Sequence, residues 1–99
     1  MIKANFDCVA LVTEMQAMVV NGGAPRGACS TYEWTEAAVT RLVARGIDAH
    51  AARPINGTAG YKVVQAALDQ LVRAGMVRTD GVTPAGATLY TVRAGKRAA

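Results

Sequence analysis

Few residues in this chain have the type and spacing that covalent chemistry demands. The 99 residues include one histidine and two cysteines. His50 stands near Asp48 but has no companion ligand at a zinc-binding spacing, and a zinc site needs several. No Ser or Cys is tied to it by sequence as a nucleophile is tied to its base. Gly22-Gly23-Ala24-Pro25-Arg26-Gly27 is glycine-rich, yet it lacks the Lys-Ser/Thr pair of a phosphate loop, and no strand leads into it. Glu33 and Glu36 lie in or beside an expected helix start, where the positive end of the dipole accounts for acids. The expectation is a binding protein, with no catalytic residues, no metal and no cofactor.

Composition narrows the class. The chain is 52% hydrophobic but 5% aromatic, so its core must be built from Val, Leu, Ala and Met, a mixture that favours helices. Cys8 and Cys29 are too few for a disulfide framework; one buried thiol and one loop thiol in a reducing cytoplasm are expected. The N-terminal residues lack a basic stretch followed by a long apolar run. The longest apolar run is interrupted by Glu14 and Gln16, and falls short of the ~20 residues that span a bilayer. A cytoplasmic protein is expected. The formal net charge of +4 suits a polyanionic partner, though such charge speaks to partners and not to fold. An excess of Arg over Lys and abundant Ala point to a GC-rich bacterial or phage genome.

The elements that must position any binding surface follow from periodicity. Phe6, Val9, Ala10, Leu11, Met15, Met18 and Val19 recur at helical spacing, predicting a helix over 5–20 with Asn5 as its N-cap. Asn21-Gly22-Gly23 ends it. Residues 30–34, with Thr, Tyr and Trp, predict a short strand. Thr35 is then the expected cap of a second helix carrying Ala38, Val39, Leu42 and Val43 inward and closing at Arg45-Gly46. Asp48 to Arg53 predicts one helical turn before Pro54 breaks it. Thr58 opens a third helix, over 58–74, whose inner face is Tyr61, Val64, Leu68, Leu71 and Val72. Met76–Thr79 and Thr88–Val92 read as paired strands, with Asp80-Gly81 as a turn. Residues 1–93 form one domain, and 94–99 a basic tail.

From Tyr61 to Val92 the sequence resembles the winged helix-turn-helix family of bacterial and phage regulators. The residues carrying the resemblance are Tyr61 to Val64, Ala67-Leu68, Leu71-Val72, Ala74 to Arg78, and Gly86 to Val92. Members show a helix ending in leucine, a short spacer, glycine and two apolar residues, followed by a hairpin, the wing. The glycine permits a sharp reversal, and the apolar pair drops the next strand onto the core. The segment Ile47 to Gly57 departs from the family's tighter turn.

The resemblance implies an α+β, mostly α fold of three helices plus a two-stranded wing, with the third helix reading DNA in the major groove. Thr58, Lys62, Gln65 and Ala66 would then face DNA, flanked by Arg41, Arg45, Arg53, Arg78 and Arg93. Gln65 suits adenine, and Lys62 a phosphate or guanine. The wing residues Asp80–Gly86 carry no cation, a poor grip for one copy, so a homodimer on double-stranded DNA is expected. Met1, Ile2, Met15 and Met18 are open as a dimer seam or as core. The alternative is a winged-helix module that binds a protein, as an inhibitor or adaptor.

Overall fold

The computed structural model describes residues 6–93; Met1, Ile2, Asn5 and the tail at 94–99 lie outside the described residues. Helix α1 spans Cys8–Asn21, strand β1 Cys29–Ser30, helix α2 Thr31–Ala44, helix α3 Ala59–Arg73, and strands β2 and β3 Val77–Val82 and Thr88–Val92. Two 3-10 turns, His50–Ala52 and Pro54–Asn56, fill the connection between α2 and α3. The result is a mostly helical α+β domain whose antiparallel sheet has the order β1-β3-β2. No helix of the described residues is long and apolar enough to cross a membrane.

Local chemistry sets most of the boundaries. Asp7 caps α1, accepting from the Ala10 amide at 3.0 Å. The expected cap Thr35 instead lies inside α2, which begins a turn earlier in a capping box. The Ser30 amide donates to Glu33 Oε1 at 2.8 Å, and the Glu33 amide donates to Ser30 Oγ at 3.4 Å. Residues 31–34 are therefore helical, and the strand expected there is reduced to Cys29–Ser30. Helices α2 and α3 end alike. Gly46 and Gly75 adopt positive φ, 85° and 78°. The amides of Ile47 and Met76 reach back to the Leu42 and Leu71 carbonyls, each at 3.0 Å, the double-bonded glycine stop that turns a chain sharply.

The second of these stops feeds straight into the hairpin. Val77 is buried and pairs with Val92, and Thr79 pairs with Tyr90. Asp80-Gly81 is not the reversal. It adds a residue to β2 as a bulge, Gly81 having φ 96°, and the chain turns at Thr83–Gly86, where the Gly86 amide donates to the Thr83 carbonyl at 2.8 Å.

The core is shared by all three helices and the sheet. Trp34, Leu11, Met15, Met18, Leu42, Val39, Val64, Leu68 and Val77 are its largest buried apolar members. Trp34 Nε1 donates to the Tyr90 carbonyl at 3.4 Å, tying α2 to the central strand. Met15 and Met18 are wholly buried, which removes them as a seam. Gly60 seats the 3-10 connection: a Cβ there would collide with the Ala52 backbone carbonyl.

Candidate nucleic-acid interface

Helix α3 is strongly two-sided. Val64, Leu68 and Leu71 face the core, whereas Thr58, Ala59, Lys62, Ala66, Asp69, Gln70 and Arg73 are exposed. Nothing in the sequence around these positions forces this orientation except the i, i+4, i+7 spacing of the buried residues, which is sufficient. The exposed residues at the start of the helix are small, so a ligand could approach its backbone closely. Thr58 makes no side-chain cap bond, which leaves first-turn amides of α3 without that partner.

The flanks differ from the outer face. Val63 is half-buried and, with Ala66, Ala67 and Gln70, forms an open groove against Val12 and Gln16 of α1. On the other flank Gln65, expected to face outward, turns inward to bind its own chain. Thr31 Oγ1 donates to Gln65 Oε1 at 2.8 Å. Gln65 Nε2 donates to the Tyr90 hydroxyl at 2.6 Å and to Asp69 Oδ1 at 3.3 Å. Thr31 and Tyr90 are buried, so this glutamine locks α3 to α2 and β3. Buried polar groups held this way fix one geometry, because breaking the set leaves an unpaired group in a poor solvent. Its partners lie 34 and 25 residues away in sequence, and no local pattern announces them.

The arginines separate into two groups. Arg41 Nε lies 2.6 Å from Glu14 Oε2, and Arg45 also reaches the Glu14 carboxylate. Glu14 is 1% exposed, so both guanidiniums serve the α1–α2 contact. Arg53 pairs with Glu36 of α2. Arg78 lies 3.8 Å from Asp80 in a largely exposed contact, worth little in water. Among the described residues Lys62, Arg73, Arg93 and Arg26 have no ion-pair partner. Arg73 occupies the last turn of α3. The Arg93 amide donates to the Met76 carbonyl, which places residue 93 at the base of the hairpin beside Val77. Three of these four cations thus follow α3 and the hairpin base, and Arg26 lies in the loop before β1.

Both thiols and the histidine have simple settings. Cys29 is buried in β1 with its thiol donating to the Arg26 carbonyl at 3.3 Å. Burial, and then the Glu33 carboxylate, push its pKa above the usual 9.0. Cys8 is exposed at the first turn of α1, so the buried thiol is Cys29 and not the one inside the expected first helix. His50 is exposed in the first 3-10 turn, its Nδ1 facing Arg53 Nε at 3.5 Å. No family model, curated protein or solved structure matches the chain.

Proposed function

We propose that this chain is a DNA-binding transcriptional regulator of the winged helix-turn-helix type, reading duplex DNA with the exposed side of α3. The reading rests on one observation above the others. The helix whose glycine end leads directly into a hairpin keeps its outer side free of the rest of the chain, with Thr58, Lys62, Ala66, Asp69 and Arg73 exposed along it. A single helix fits the major groove, ~12 Å wide. The element order and the β1-β3-β2 sheet suit the same family.

Roles follow from placement. Lys62 meets a phosphate or a guanine edge, and the first amides of α3 beside Thr58 meet a phosphate. Arg73, Arg78 and Arg93 add backbone contacts near the hairpin. Gln65 acts as a strut that sets the helix, not as the adenine reader. Arg41, Arg45 and Arg53 serve the fold.

One observation favours a second reading, docking to a protein. Arg41, Arg45, Arg53 and Arg78 face the chain's own acids, and the stretch Thr79–Ala87 holds no Lys or Arg. Phosphate neutralisation dominates DNA affinity, so few cations are left to supply it. A gel shift on duplex DNA across salt concentrations separates the two. A regulator binds with affinity falling steeply as salt rises, and Lys62→Ala weakens it while lowering the salt slope by about 1. No shift even at low salt would remove DNA and leave the protein-docking reading.

A further inference from the structure

Helix α1 turns Leu11, Glu14, Met15 and Met18 into the domain. Its opposite side presents Val9, Thr13, Gln16 and Val20, all exposed, Val9 at 74% and Val20 at 64%. The spacing of this stripe is four, three, four, the repeat with which one helix packs along another. It contains no charge, because Glu14, the only charged residue of α1, faces inward to Arg41 and Arg45. An outward helix face normally carries charged side chains. In a chain of net charge +4, this neutral strip is a place where two copies can approach without like-charge repulsion.

The stripe is also its own complement. The centre of Cys8–Asn21 lies between Glu14 and Met15. Positions 9 and 20 are equally far from it, and so are 13 and 16. Two α1 helices laid antiparallel about a two-fold axis at this point bring Val9 against Val20 of the second copy, and Thr13 against its Gln16. Valine meets valine, and a hydroxyl meets an amide that can bond it. The helix dipoles then oppose each other, which is their favourable arrangement. An isologous contact requires this self-matching, whereas an unrelated partner would not.

We infer that the outer face of α1 is a homodimer interface in which two copies pair antiparallel through Val9, Thr13, Gln16 and Val20. The inference rests on α1 and not on the DNA-binding reading, since Val9, Thr13, Gln16 and Val20 all belong to α1.

The test is sedimentation equilibrium without DNA, over about 1–500 μM protein. The unaltered protein should approach twice the 10.3 kDa chain mass. Val9→Lys with Val20→Lys places like charges together at both contacts and should weaken association at least tenfold, with the far-UV circular dichroism spectrum unchanged because both positions are exposed in the single copy. Val9→Lys with Val20→Glu sets opposite charges together only in the antiparallel pair, and should keep the dimer. A monomer throughout the range overturns the proposal, as does a dimer that survives the double lysine change. Loss of the dimer in the Lys/Glu variant overturns the antiparallel geometry. The two readings separate at Lys62→Ala, which should weaken the gel shift and leave the sedimentation result unchanged.

Discussion

The junction of α1 with α2 and the edge formed by α3 with the hairpin both carry cations, and they use them in opposite ways. At the first, Arg41 and Arg45 converge on a carboxylate that is 1% exposed. At the second, Lys62, Arg73 and Arg93 have no ion-pair partner among the described residues, and their surroundings are solvent. The same residue type is a fold component in one place and a candidate ligand contact in the other. What separates them is whether an acid is buried within reach, since a buried carboxylate needs compensation.

The largest expected effect breaks the first region. Arg41→Ala with Arg45→Ala leaves Glu14 buried without a cation, and should cost about 3–5 kcal/mol in urea unfolding. A loss under ~1 kcal/mol, the range of an exposed pair, would place these arginines with the surface cations and erase the contrast. Next is Gly60→Ala, at the point where the connection meets α3. Alanine is the better helix former by about 1 kcal/mol, yet its Cβ would strike the Ala52 carbonyl. The net result should be a destabilisation of about 1–3 kcal/mol, read by thermal melting; a stabilised variant would mean that the close approach is absent.

Tyr90→Phe probes the strut between the two regions. It removes the hydroxyl that accepts from Gln65 and should cost about 0.5–1.5 kcal/mol. Any effect on DNA binding would come through the angle of α3. Lys62→Ala sharpens the contrast from the other side, since stability should stay within about 0.5 kcal/mol of the parent while the gel shift weakens. A Lys62→Ala protein that unfolds easily would show this lysine to be structural.

The smallest effect is on pH dependence. The folded Cys29 thiol titrates above its unfolded value of 9.0, so the unfolded chain loses this proton first. The stability that the neutral thiol contributes is present below pH 9 and is lost as pH rises toward the folded value. Comparing urea midpoints of the parent and Cys29→Ala on either side of pH 9 checks this. The parent should fall more as pH rises, and equal slopes would deny the shift.

Much of this architecture was readable because its causes are local. Gly46 and Gly75, each behind a run of inward-spaced apolar residues, announce helix ends that hydrogen bonds within six residues complete. Ser30-Thr31-Tyr32-Glu33 contained a readable capping box as well, but the strand-forming types Thr, Tyr and Trp argued the other way. In the structure the box prevails, since it satisfies two backbone or side-chain partners at once. Asp80-Gly81 looks like a turn because Gly accepts positive φ, and the bulge uses that same freedom.

The sequence alone determined where α3 and the hairpin lie and which face of the helix turns inward, because periodicity and glycine stops act over a few residues. It could not determine which arginines are committed, that Gln65 points inward, or that the methionines of α1 face the core while Val9 and Val20 face out. Those outcomes depend on the approach of distant segments. Arg41 and Arg45 meet Glu14 across 27 and 31 residues, and only the packing of α1 on α2 decides that a carboxylate there is buried and must be answered by charge.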